Sequence, residues 1–302
     1  MDKIAILMST FNGERYIDEQ IESILFQENV CTHIWIRDDG STDATVEKIQ
    51  KWKEKVPDRI FVFSEENVGY RGSFLKLLAM VSDEYDYYGF SDQDDVWHKD
   101  KCARAIQKLE AVSGSLKLYT SNLNIVDEHL NHISKTDIEK NYHMTLYSYW
   151  IRARFAGCTY VFSKALKIKA MGYTGYTSID HDFLLGTLAF VYGKVVFDSN
   201  ASIEHRRSAQ SVTSGGKGIA DRIKTEFNHL FRKNGARYFL AAKILEKEGD
   251  KLPAAEREFF SDVAHYRNSL RGKLKLLCNK EFASGVHVFD AMTKVKVLLS
   301  NY

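Results

Sequence analysis

The order of elements predicts an α/β fold: a mixed, mostly parallel sheet flanked by helices, with a C-terminal helical extension. Three observations predict it. Apolar runs of strand length alternate with segments of helical spacing from the N-terminus to Trp97. A polar cluster follows each of those strands. From about Gly218 onward helical spacing dominates.

Residues 4–8 are a continuous apolar run bounded by polar residues, the pattern of a buried strand. It ends in the loop Ser9-Thr10-Phe11-Asn12-Gly13, after which Tyr16, Ile17, Ile21, Ile24 and Leu25 recur at helical spacing. Residues 33–37 are a second strand running into Asp38-Asp39-Gly40-Ser41-Thr42-Asp43. That cluster opens a helix carrying Val46, Ile49 and Val56, which Pro57 stops. Residues 59–64 are a third strand, followed by Asn67-Val68-Gly69-Tyr70-Arg71-Gly72 and a helix with Phe74, Leu77, Leu78 and Val81. A Tyr-rich strand then runs into Ser91-Asp92-Gln93-Asp94-Asp95-Val96-Trp97.

Beyond the acidic tip, residues 116–122 read as a strand and residues 125–133 as a hairpin. A loop from Arg152 leads to a strand ending near Ser163, and Asp180-His181-Asp182 precedes an apolar helix at residues 183–192. Residues 195–197 make a further short strand, and residues 208–218, rich in Ser and Gly, make a flexible loop or boundary. The expected division is residues 1–217 and residues 218–302.

Composition sets the class. With 44% hydrophobic and 27% charged residues, the chain is an ordinary globular one. A formal net charge of +2 gives no reason to expect a nucleic-acid partner. The charge is uneven, however: residues 218–302 hold 16 Lys+Arg against 10 Asp+Glu, and the preceding part 26 against 30. Cys31, Cys102, Cys158 and Cys278 form no Cys-x-x-Cys pair, so a zinc site or disulfide framework is not expected and a reducing compartment fits. The N-terminal apolar run is too short for a signal peptide, and residues 183–193 are too few to span a bilayer. The expected location is cytoplasmic, or peripheral at the inner face of the membrane.

In open sheets of this kind, ligands bind beyond the carboxyl ends of the strands. Thr10, Asp39, Asn67 and Asp92 all follow predicted strands, so the four clusters should converge on one edge. Three carboxylates in four positions (Asp92, Asp94, Asp95) repel one another and call for a counter-charge. Either a hard divalent cation supplies it, or the stretch is a solvated turn or helix N-terminus. The Asp38–Asp43 cluster is open in the same way, as a tight turn and N-cap or as a carboxylate accepting from a nucleobase N–H. No Gly-x-x-x-x-Gly-Lys-Ser/Thr loop, Gly-x-Gly-x-x-Gly fingerprint, His-Glu-x-x-His or Gly-x-Ser-x-Gly elbow is present.

The series Ser9-Thr10-Phe11-Asn12, Asp38-Asp39-Gly40-Ser41-Thr42-Asp43, Asn67-Val68-Gly69 and Ser91-Asp92-Gln93-Asp94-Asp95-Val96-Trp97 closely resembles glycosyltransferase family 2. The acidic tip is most similar to the bacterial rhamnosyltransferase-type branch, which builds surface polysaccharides. The resemblance covers roughly residues 3–215 and implies the GT-A fold. It implies that Thr10, Phe11 and Asn12 lie at the nucleobase with Asp39 holding its ring, and that Asn67, Gly69, Asp92 and Arg206 also serve the donor. Asp92 and Asp94 would form the metal motif, with Asp95 close by. Asp182 would be the general base, with Asp180 as its rival, or else an N-cap of its helix. Gly157-Cys158-Thr159 matches a loop near sugar and acceptor. One departure is Ser208, where relatives carry histidine after Arg206.

The implied activity is inverting, metal-dependent transfer from a dTDP-rhamnose or UDP-hexose donor, with Mg²⁺ or Mn²⁺, to a lipid-linked or protein-linked glycan. A sugar nucleotidyltransferase, or a non-catalytic nucleotide-sugar or glycan binder, are the alternatives. The basic helices of residues 218–302 either pack on the first domain, shaping the acceptor site or a homo-oligomer, or rest on the membrane through Arg267, Arg271, Lys273 and Lys275.

Overall fold

The computed structural model describes residues 2–139, 144–173, 179–207 and 235–302. They fall into two compact units, Met1–Asp137 with Phe155–Ser208, and Ile138–Arg154 with Ala209–Tyr302. The expected boundary between residues 217 and 218 lies outside the described residues.

In the first unit the N-terminal half alternates strand and helix: β1 (Asp2–Thr10), α1 (Ile17–Leu25), β2 (Val30–Asp38), α2 (Thr45–Lys55), β3 (Ile60–Ser64), α3 (Gly69–Met80) and β4 (Tyr87–Ser91). Strand β1 pairs in parallel with both β2 and β4, and β2 with β3. Ile4 to Met8 have no solvent exposure, because helices cover both faces of a parallel sheet. The i, i+4, i+7 spacing of Ile17, Ile21 and Ile24 turns all three into that core. Each contributes roughly 1.5–3 kcal/mol relative to an exposed side chain.

The second half is mixed. It holds β5 (Val96–Trp97), α4 (Lys101–Glu110), β6 (Lys117–Val126), β7 (His132–Lys135), α5 (Leu146–Ile151, in the second unit), β8 (Val161–Ser163), α6 (Lys164–Met171), α7 (His181–Tyr192) and β9 (Lys194–Arg206). Among the described residues the sheet has nine strands in the order β3-β2-β1-β4-β8-β6-β9-β5, with β7 paired to β6. The strand expected at residues 116–122 and the first arm of the hairpin expected at residues 125–133 are one strand, β6, which pairs with β7 across a turn closed by Asp127 accepting from the backbone N–H groups of His129 and Asn131.

Two elements differ from expectation. The short strand at residues 195–197 is thirteen residues long, as β9. Asp198-Ser199-Asn200 has turn chemistry, and Asp198 does accept from Asn200 N at 3.0 Å. The result is a bulge against β6 between Ser121 and Asn122, after which the strand resumes. Val96 and Trp97, expected as the end of the acidic tip, form a strand paired with Glu204 and Ile203 of β9. The acidic loop is therefore held from both sides, by β4 and by β5.

The second unit contains α5, α8 (Gly235–Glu248), α9 (Ala254–His265), α10 (Leu270–Cys278) and α11 (His287–Leu298). Its core gathers Trp150, Leu240, Ile244, Phe259, Phe260, Tyr266 and Tyr302. Tyr302 donates to Trp150 O at 2.9 Å, and Tyr266 to Tyr302 O at 2.7 Å. Three of the four basic residues named for the membrane alternative are engaged inside this unit. Arg267 donates to Tyr302 O, Lys273 to Leu298 O, and Lys275 pairs with Glu258. No helix among the described residues is long and apolar enough to cross a membrane.

Candidate functional site

The four loops at the carboxyl ends of β1 to β4 meet, and side chains stitch them together. Asn12, at φ +48°, donates its N–H to Ser41 Oγ at 2.9 Å and accepts from Thr42 N on its Oδ1 at 2.9 Å. Gly13 N donates to Thr45 Oγ1 at 2.8 Å. Gln93 of the acidic loop takes both backbone groups of Phe11: it accepts Phe11 N at 2.8 Å and donates to Phe11 O at 3.0 Å. The ring of Phe11 stays 47% exposed above this mesh. Thr10 is buried and donates its hydroxyl to Asp38 Oδ1 at 3.0 Å, so its side chain serves the loop rather than a pocket wall.

The adjacent aspartates at the end of β2 have separate duties. Asp38 closes the turn, accepting from the backbone N–H of Gly40 and Ser41 and from the Ser41 hydroxyl. Asp39 instead accepts on Oδ1 from Val68 N at 2.9 Å and from the guanidinium of Arg37. Arg37 is fully buried and also bonds Glu65 and Glu66 O. The sequence reading passed over Arg37 as the last residue of a strand. The available signal was a charge in an apolar strand beside Asp-Asp, since a buried charge needs a partner. Asn67 bonds Gly69 N through its Oδ1, and Gly69 at φ +76° opens α3 in a conformation that suits glycine.

In the acidic loop, burial and then the charges of Asp95 and Asp94 push the Asp92 carboxyl up to about 7. Burial and then Asp95 push Asp94 up to about 6. Asp95 is fully buried, with Oδ1 accepting from His205 Nδ1 at 2.9 Å and from Arg206 N. Burial alone would lower the His205 pKa, but the charge and hydrogen bond of Asp95, with the charges of Asp92 and Asp94, together outweigh it and raise it to about 9. The Arg206 guanidinium is committed to Glu19 and to Asp94 O at 3.0 Å, and stacks over Tyr16. The counter-charge anticipated for the acidic tip is thus partly built into β9. His205 carried no expected role, and Ser208 lies outside the described residues.

Does this cluster fit a divalent cation? Asp92, Asp95, Cys158 and His205 each offer a ligand atom within 4.8 Å of the others. Asp95 Oδ2 is buried with no hydrogen-bond partner among the described residues, an orphan that a cation would satisfy. The carboxylate oxygens of Asp92 and Asp95 suit Mg²⁺ or Mn²⁺, whereas the Cys158 thiol and the His205 imidazole are donors for softer metals, and Asp94 lies outside this group. The carboxylates fit a hard divalent cation.

Across the site, α7 begins at Asp180-His181-Asp182. Asp180 is bound by Tyr70 Oη at 3.0 Å and by the Arg71 guanidinium. Burial, and then the Asp180 charge, raise the Tyr70 hydroxyl to about 12. Burial, and then the Asp180 charge, push the Asp182 carboxyl up to about 6. His181 stacks on Phe74 with ring centroids 4.0 Å apart, and burial drives its pKa down to about 3, so it stays neutral. Gly157, in the Gly157–Thr159 turn, backs both residues: a Cβ there would sit 3.1 Å from Asp182 Cβ and 3.1 Å from His181 Nε2. The neighbouring Asp182 charge adds to the rise of Asp92, which ties this helix start to the acidic loop.

Comparison with known proteins agrees with this architecture. The model of glycosyl transferase family 2 matches residues 5–166. The dTDP-rhamnosyl transferase RfbG of Shigella flexneri is 36% identical over 165 residues, covering 54% of this chain and 55% of that protein. The teichuronic acid biosynthesis glycosyltransferase TuaG of Bacillus subtilis (strain 168), so named provisionally, is 32% identical over 105 residues, 34% of this chain and 40% of that protein. The chain spans about half or less of the length of these curated relatives. Two solved structures share the fold at low identity. S. aureus TarS 1-349 in complex with UDP-GlcNAc has a TM-score of 0.61 and 17% identity over 95% of this chain and 80% of that one. The mannosyltransferase PcManGT from Pyrobaculum calidifontis, in complex with GDP-Man and Mn2+, has a TM-score of 0.54 and 16% identity over 99% and 80%.

Proposed function

The chain belongs to glycosyl transferase family 2, and on that premise we propose that it moves a sugar, with inversion, from a nucleoside-diphosphate donor to an acceptor hydroxyl. One observation carries this reading: the four strand-end loops, the acidic cluster and the start of α7 form one hydrogen-bonded and electrostatically linked edge. An exposed aromatic ring, a buried carboxylate, a cation-type cluster and a carboxyl raised to about 6 all belong to it.

The exposed Phe11 ring is the platform for the nucleobase, which suits stacking, and Asp39 Oδ2 accepts from a ring N–H. Asn67 and Gly69 shape the adjoining wall. Asp92 and Asp94, with Asp95 and His205 beside them, would hold the divalent cation. Bound there, the cation would neutralise charge on the departing diphosphate. Arg206, expected at the diphosphate, is given a bracing role, since its guanidinium holds the acidic loop through Asp94 O. Asp182 takes the proton from the acceptor hydroxyl as that oxygen attacks the anomeric carbon from the face opposite the diphosphate. The rise of the Asp182 carboxyl to about 6, by burial and then the Asp180 charge, favours Asp182 as the base. The branch of the resemblance and RfbG favour dTDP-rhamnose as the donor, with a UDP-hexose second, and a surface glycan as the acceptor.

The test is donor hydrolysis and thermal protection across UDP-, dTDP- and GDP-sugars, with and without Mn²⁺, for the native chain and Asp94→Ala. Turnover with one nucleotide class that depends on Mn²⁺ and is lost in Asp94→Ala is the expected result. Nucleotide binding indifferent to both Mn²⁺ and Asp94 would replace the transferase reading with a non-catalytic binder.

A further inference from the structure

Gln93 stands between two aspartates of the acidic loop, yet its side chain leaves that loop. Its amide pairs with both backbone groups of Phe11, 82 residues away, as a neighbouring strand would: Oε1 accepts Phe11 N at 2.8 Å and Nε2 donates to Phe11 O at 3.0 Å. Among the described residues no other hydrogen bond crosses directly between the Phe11 loop and the acidic loop. A second observation points to the same contact. A Cβ on Gly13 would lie 2.4 Å from Gln93 Oε1 and 2.6 Å from Gln93 Cδ, so any side chain at position 13 displaces the amide. Gly13 has no positive φ to explain its identity; what it provides is room for Gln93.

We propose that Gln93 is a positioning residue for the donor nucleotide, its side-chain amide fixing the Phe11 ring at a set height and distance from the Asp92/Asp94 loop. This deepens the function proposed above and rests on its reading of Phe11 as the nucleobase platform. The physical reason is registry. Base and diphosphate are covalently joined ends of one ligand of limited span, so a platform that drifts relative to the acidic loop binds one end at the expense of the other. Among the described residues, the cross-loop bonds of Asn12 and Gly13 run to Ser41, Thr42 and Thr45. The link to the diphosphate side runs through Gln93.

The experiment is a double-mutant cycle read by calorimetric binding of UDP and of dTDP in the presence of Mn²⁺, with Mn²⁺ affinity measured separately. Phe11→Ala is expected to weaken nucleotide binding ~10-fold through lost stacking. Gln93→Ala and Gly13→Ala should each weaken it by a comparable ~10-fold, while Mn²⁺ affinity changes by less than ~2-fold. In the Phe11→Ala background, Gln93→Ala should add less than ~2-fold, because no platform is left to position. Gly13→Ala lies outside the acidic loop and shortens no side chain, so it tests the clamp even if Gln93→Ala unfolds. Additive losses in the cycle, or native affinity in both Gln93→Ala and Gly13→Ala while Phe11→Ala binds weakly, would overturn the positioning role alone. Native affinity in Phe11→Ala would remove the platform reading itself, and this proposal with it.

Discussion

If Asp182 is the base proposed above, Asp182→Asn should lower kcat by ~10²–10⁴-fold while leaving the affinity for the nucleotide donor unchanged. The asparagine keeps the size of the side chain and an oxygen to accept Phe183 N, which Asp182 Oδ1 holds at 2.7 Å. What it removes is the proton acceptor. Asp182 is suited to that task because burial, then Asp180, raise its pKa to about 6. A base works only when deprotonated, so in the native chain kcat should be flat above that pH and fall about tenfold per unit below it. Asp180→Asn, by contrast, removes a charge while keeping an oxygen for Tyr70 and Arg71, and should cost only ~10-fold or less. Single-turnover rates with saturating donor separate the two. A larger loss in Asp180→Asn than in Asp182→Asn would exchange their roles.

Arg37→Met should destabilise the fold by ~3–5 kcal/mol, the usual consequence of stripping one partner from a buried ion pair. Arg37 and Asp39 are 0% and 3% exposed at their side chains, so Asp39 would be left as a buried charge with only the Val68 N–H to answer it. The bond to Glu65 adds less, since that carboxylate is 37% exposed. For a unit of this size the thermal midpoint should fall ~10 °C. Arg37→Met with Asp39→Asn should recover part of the loss, because the uncompensated charge is gone. Thermal unfolding of the three variants checks this. A drop of under ~1 kcal/mol in the single variant would mean that Asp39 does not depend on Arg37.

How much of this was legible beforehand follows from how far apart the interacting residues are. The strands β1 to β3 and their loops declare themselves locally: an apolar run such as Ile4 to Met8, then residues that cannot continue a strand. Asp39, Asn67 and Asp92 were found that way, each by its place after a strand. The division of labour between Asp38 and Asp39 was not legible, because it depends on Arg37 reaching back two residues and on Val68 arriving from another loop. The Gln93–Phe11 clamp, the Asp95–His205 pair and the strand at Val96–Trp97 all join residues more than eighty apart. Periodicity carries no record of such pairings. The bulge at Asp198 misled for a related reason, since turn chemistry inside a strand reads as the end of the strand until its partner is known.

The parallel pairing of β6 with β9 has a consequence for how this molecule comes to be folded. β1 meets β2 across a single helix, Asp2 opposite Val30, whereas Lys117 of β6 waits for Lys194 of β9. Closing the longer loop costs more chain entropy before any contact rewards it, so low-contact-order units form first and this pair forms late. Hydrogen-exchange protection during refolding should therefore appear in β1 and β2 before β6 and β9. His205 and Arg206 sit at the very end of β9, so the counter-charges of the acidic loop arrive last. Until they do, Asp92, Asp94 and Asp95 face one another without the counter-charges that His205 and Arg206 bring.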